Sequence, residues 1–157
     1  MRKQTLIDCC IVLLIAGVGL VVTGAARQTP AAPTDRWLAF DVLIDPHGRP
    51  LAAYQVDLIA PPAARILGVE GGDGRAFNAA PYYDPQALPH NRIILAAYSL
   101  DQALPSHRTR VARLHLHIAG GGAAGAGGAL TFAAKVVVAV DPAGQPLAAS
   151  VQVQETP

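Results

Sequence analysis

The segment DPHGRPLAAYQVDLI (residues 45–59) is nearly repeated as DPAGQPLAASVQVQ (residues 141–154). In both copies Asp-Pro-x-Gly-x-Pro is turn chemistry, because proline fixes φ and glycine accepts a positive φ. In both, Leu-Ala-Ala then leads into a run that alternates apolar and polar residues. Tyr54, Val56 and Leu58 oppose Gln55 and Asp57 in the first copy, which is the period of a half-buried strand. The repeat is therefore expected to be a hairpin turn used twice, each time before a returning strand. Its flanks diverge quickly, which argues against a duplicated gene segment.

Period two extends outward from both copies. In WLAFDVLID (residues 37–45), Leu38, Phe40, Val42 and Ile44 fall on one face, with Trp37, Ala39, Asp41 and Leu43 on the other. Further strands are expected at residues 65–69, 92–100, 110–120, 129–140 and 148–154. In the strand at 129–140, Leu130, Phe132, Val136, Val138 and Val140 are read as sharing one side. Residues 75–91 form a long loop with prolines at 81, 85 and 89, and GGGAAGAGG (residues 120–128) is a flexible connector. Six to nine short strands, with no helical pattern after residue 26, predict an all-β antiparallel β-sandwich of the jelly-roll-like kind.

The N-terminus is different in kind. Residues 9–26, CCIVLLIAGVGLVVTGAA, hold 18 residues without a charge and follow Met1-Arg2-Lys3. Such a run can just cross about 30 Å of hydrocarbon, and the basic start favours a cytoplasmic N-terminus. Two readings are open for residues 1–26: a retained transmembrane anchor, favoured by length, or a cleaved signal peptide ending at small residues such as Ala25. In the first, the domain faces outward from the cell membrane. In the second it is secreted. Residues 27–36, RQTPAAPTDR, form a Pro- and Ala-rich spacer, and residues 37–154 form the sandwich.

Of the 157 residues, 52% are hydrophobic and only 15% charged. Both cysteines, Cys9 and Cys10, fall at the start of the apolar run, so the exported part has no disulfide framework and stands on its core. A formal net charge of +1 gives no general attraction to nucleic acid.

In PLAAYQVDLIAPPAARILGVEGGDG, RIILAAYSL, RVARLHLHIAG and LTFAAKVVVAVDPAGQPL, residues 37–153 resemble the cohesin family, among the jelly-roll sandwiches that also include carbohydrate-binding modules. The resemblance implies a binding module for a protein partner (dockerin-like) or a polysaccharide. The chain departs from cohesins at Ala60-Pro61-Pro62, where they usually carry a Tyr-Asp-Pro corner. Residues 4–28, QTLIDCCIVLLIAGVGLVVTGAARQ, are also similar to the N-terminal helix of type IV pilins and pseudopilins. Thr5-Leu6-Ile7 match, and Asp8 stands in place of the family's glutamate. That similarity implies an alternative role as a structural subunit with a sandwich head. The processing glycine of those proteins is missing, Lys3 and Gln4 standing there instead.

Three groups of residues invite a chemical reading. His115 and His117 lie at i and i+2 on one strand and so share a face, but a metal centre needs a third ligand; no metal and no cofactor is expected. Arg113 shares that face, and the three together could meet an anionic partner or form a solvated sheet face. Tyr82 and Tyr83, with Trp37, Tyr54 and Tyr98 elsewhere, could stack on sugar rings or pack onto the sandwich, with Tyr54 in phase with the core. Gly71 to Gly74 precede no Gly-Lys-Ser/Thr, so they read as a turn and not a phosphate loop. Glu70 and Glu155 are the only glutamates, and no serine lies in Gly-x-Ser-x-Gly. A non-catalytic protein is the expectation.

Overall fold

Apolar side chains that alternate along a strand give a sheet one apolar face that must be covered, and in this protein a second sheet covers it. A computed structural model describes residues 34–120 and 130–157. The expected membrane or signal helix at residues 1–26 lies outside the described residues. Seven strands run among the described residues: β1 Arg36–Asp45, β2 Ala53–Ile59, β3 Ala64–Gly71, β4 Arg92–Tyr98, β5 Thr109–Ile118, β6 Ala133–Val140 and β7 Ser150–Glu155. They form two antiparallel sheets, ordered β3-β5-β1-β7 and β4-β2-β6, in an all-β, β-sandwich-like fold.

The shared core takes Phe40, Val42 and Ile44 from β1, Val56 and Leu58 from β2, Ile93 and Leu95 from β4, and Leu114, Leu116 and Ile118 from β5. Each such side chain contributes about 1.5–3 kcal/mol on burial. Tyr54 is buried among them, donating its hydroxyl to the Val111 carbonyl at 3.1 Å and meeting the Phe77 ring edge-on at 5.2 Å.

The twice-used motif is not a hairpin. β1 and β2 belong to different sheets, and so do β6 and β7, so each copy carries the chain from one sheet to the other. The crossing is anchored by the leucine of Leu-Ala-Ala: Leu51 and Leu147 are both buried in the core. Local chemistry matches the turn expectation. Asp45 accepts the His47 N–H, Asp141 accepts those of Ala143 and Gln145, and Gly48 and Gly144 take φ of 88° and 74°. The copies also meet. Arg49 pairs with Asp141 and donates to the Pro146 carbonyl, while Ala52 N–H bonds the Val140 carbonyl. The strand before one copy lies beside the strand after the other, β1 with β7 and β6 with β2.

Three register shifts interrupt the strand pairs. One lies between Ile66 and Gly68 of β3, and the other two re-aim side chains that bear on the outer faces. Between β1 and β5, Val42 faces Ala112 but Leu43 faces Arg110, leaving Val111 as an extra residue. Between β2 and β6, Gln55 faces Val138 but Val56 faces Val136, leaving Val137 extra. An extra residue in one strand breaks the alternation. Val136 therefore packs against the core while Val138 points outward, correcting the single apolar side expected for this strand. Leu130 and Phe132 pack against the core ahead of β6 rather than within it.

Candidate functional site

The sandwich has two outer faces of opposite character. On the four-stranded sheet, Arg113, His115 and His117 share a face, as their spacing predicts, and each meets a carboxylate from another segment. Arg113 Nε donates to Asp41 Oδ1 at 2.7 Å, His115 Nε2 lies 2.9 Å from Glu70 Oε1, and His117 Nε2 lies 3.0 Å from Asp35 Oδ2. The register shift turns Arg110 onto the same face, where it reaches Asp41 at 3.3 Å and pairs with Asp73.

Asp41 retains only 9% of its exposure. The hydrogen bond from Arg113 holds its carboxyl below the ordinary carboxylate value, with Arg110 adding to the effect, and Asp41 in turn raises Arg113. Asp35 is lowered first by the Gly120 N–H and then by His117. The Trp37 ring lies 4.6 Å from that of His117. Among the described residues no group of three metal-ligating side chains comes together, and the two histidines face different carboxylates.

The three-stranded sheet presents the other face. The pair Tyr82-Tyr83 is split by the backbone. Tyr82 donates to the Ala96 carbonyl at 2.7 Å and accepts from the Ala96 N–H at 3.0 Å, so it adds a single residue to the free edge of β4. Neighbours in a strand point to opposite sides. Tyr82 therefore stands outward at 71% exposure, while Tyr83 packs against the core and Pro81 is buried.

A second tyrosine joins Tyr82. β4 turns Ile93 and Leu95 inward, which places Tyr98 outward at 63% exposure. The sequence leaves its side open, since Ile94, on the same face as Tyr98, is as apolar as Ile93 and Leu95.

Two clefts flank these rings. One, of about 250 Å³, is lined by Tyr82, Tyr98, Ala53, Gln55, Ala96 and Val138 among others. The second, of about 260 Å³, is lined by the same two tyrosines with Ala76, Phe77, Ala79 and Ala80 among others. No charged side chain lines either cleft. Charges on this sheet lie further along it, where Arg92 grips both carboxylate oxygens of Asp57 at 2.9 and 2.7 Å. That contact lowers Asp57 and raises Arg92.

Chemically, the first face gathers arginine–carboxylate pairs and two histidines set against carboxylates, with His115 Nε2 near Glu70 but not hydrogen-bonded to it. The second offers rigid aromatic surface, small residues beneath it and the Gln55 amide. Set against known protein families, curated proteins and solved structures, the chain matches none.

Proposed function

We propose that this protein is a non-catalytic binding module of the cell envelope and that its ligand is a polysaccharide. In this reading residues 9–26 hold it in the membrane with a cytoplasmic N-terminus. Residues 37–154 are then the jelly-roll-like, cohesin-like sandwich displayed outside. The observation that carries the proposal is the pair Tyr82 and Tyr98, both largely exposed on one sheet edge and both lining two uncharged clefts. Large apolar rings left in water on a rigid element mark an interaction surface. Tyrosine suits a sugar ring, because it gives a flat stacking face and a hydroxyl at one end. Its two rotatable bonds also keep the ordering cost small.

The test is sedimentation of the full-length chain, solubilised in mild detergent, with a panel of insoluble polysaccharides. Co-sedimentation with at least one polymer is expected, with the Tyr82→Ala/Tyr98→Ala double variant weakening it about 30-fold or more. Both rings are exposed, so the variant should melt within a few degrees of the parent. Binding that survives the double substitution would place the site elsewhere. If no polymer is bound, a protein partner replaces the polysaccharide.

A further inference from the structure

Granted the polysaccharide reading, we infer that the ligand is an uncharged, extended glycan that lies across the Tyr82–Tyr98 ridge and fills both clefts at once. The inference rests on three features of the site.

The first is charge. The clefts' lining contains no acidic or basic side chain, in a molecule whose opposite face gathers Asp41, Arg110, Arg113, Glu70 and His115. A carboxylate or sulfate entering an apolar cleft sheds hydration and needs a cation to receive it. The cations of this sheet are held elsewhere: Arg92 is fixed on Asp57, and Lys135 stands opposite the same aspartate in the register. Neutral hydroxyl groups have partners to hand in the Gln55 amide, which both donates and accepts, and in the two tyrosine hydroxyls.

The second is size. Each cleft alone falls below the range of about 300–1,000 Å³ usual for small-molecule pockets, whereas the two together fall within it. Because both tyrosines line both clefts, the rings form a ridge between them. A ligand that uses the whole surface must then be longer than one cleft.

The third is rigidity. Tyr82 is tied to Ala96 by two backbone hydrogen bonds, and Tyr98 faces Ala53 in the β2–β4 register. The backbone that carries the ridge is fixed before any ligand arrives, so only the rings' own two torsions are left to order.

The deciding experiment titrates the full-length chain calorimetrically with oligomers of increasing length cut from neutral polymers: cellulose, chitin, xylan and mannan. Pectate and alginate serve as the anionic probes. Expected are binding to at least one neutral series, a gain of about tenfold or more from dimer to longest oligomer, and little change with salt. Ala80→Asp places a charge in one cleft and Val138→Asp in the other, and each should remove most of the gain with length. Both positions are exposed; should Val138→Asp not fold, Gln55→Ala reads the same cleft.

Preference for pectate or alginate, weakening with salt, would overturn the uncharged ligand and leave the polysaccharide reading standing. Neutral binding with no dependence on length, or unaffected by one of the two charges, would overturn occupation of both clefts. Silence of every polymer would end the polysaccharide reading itself.

Discussion

The two outer faces of this sandwich divide its side chains by what they still have to offer. On the four-stranded sheet the charged and titratable residues that suggested chemistry in the sequence lie against carboxylates of the fold itself, Arg113 on Asp41, His115 near Glu70 and His117 on Asp35. Trp37 stays largely exposed beside His117. On the three-stranded sheet, tyrosine, alanine, valine and one glutamine leave surface unanswered. The reactive residue types of the four-stranded sheet are largely engaged by the fold itself, and a charge matched in that way has little left for a ligand. The uncharged surface is where two exposed rings, Tyr82 and Tyr98, come together over clefts.

The loop that carries the second cleft meets β5 at a tight place, and breaking it should have the largest effect. Gly72 N–H donates to the Phe77 carbonyl at 2.7 Å, and Asp73 N–H bonds the Arg110 carbonyl at 2.9 Å. A Cβ on Gly72 would come within 2.0 Å of Arg110 O and 2.6 Å of Val111 Cα, and backbone cannot yield as a flexible side chain would. Gly72→Ala should cost about 3 kcal/mol or more in urea unfolding. Because Phe77 and its neighbours line the second cleft, it should also shorten the length dependence of ligand binding. A stable variant with unchanged binding would mean that the loop is seated independently of β5.

A smaller effect separates the tyrosine pair. Tyr83 is half-buried against the core, so Tyr83→Ala should lower stability by about 2 kcal/mol, part of the cost of truncating a fully buried aromatic. The neighbouring Tyr82→Ala should leave the unfolding midpoint nearly unmoved and act on binding alone. If the two variants behave alike in unfolding, the alternation imposed by the Ala96 bridge does not govern this loop in solution.

The strands were legible in the sequence because period two is a local property. Phe40, Val42 and Ile44 announce their face whatever β1 pairs with. The crossing at residues 45–53 was not legible, since a hairpin and a sheet-to-sheet arch use the same Asp, Pro and Gly and both preserve alternation in the flanking strands. What separates them is the depth to which Leu51 and Leu147 are buried, a fact of tertiary packing.

The register shifts escaped for a related reason. Nothing in VVV at residues 136–138 says which valine is the extra one until β2 lies beside it. The split of Tyr82 from Tyr83 likewise depended on a single pairing with Ala96. Tyr98 was ambiguous in the same way, because Ile94 on its own face is as apolar as Ile93 and Leu95 on the other. Asp41 was placed on the polar side of β1, but its partners, Arg110 and Arg113, are 69 and 72 residues away in the chain. No local pattern could have introduced them.

That cluster gives the mildest test of the contrast between faces. Arg113 holds the Asp41 carboxyl below its ordinary value of 3.8 in the folded protein, so folding favours the ionised form. The stabilisation is complete above the unfolded value and is lost as pH falls through the folded one. Asp41→Asn keeps the shape and one acceptor but removes the charge. The arginine side chains remain 18% and 25% exposed, so water can answer part of what the carboxylate gave up. The loss at neutral pH should therefore be only about 1 kcal/mol.

The sharper sign is in the acid limb. Stability of the parent should fall on acidification below about pH 5 more steeply than that of the variant, and the two curves should converge at low pH, where Asp41 is neutral in both. Parallel curves would show that Asp41 titrates alike in folded and unfolded chains, and the charged face would then be only a solvated surface. Binding at the tyrosine ridge should not respond to this substitution at any pH, because no charge of that cluster lines either cleft.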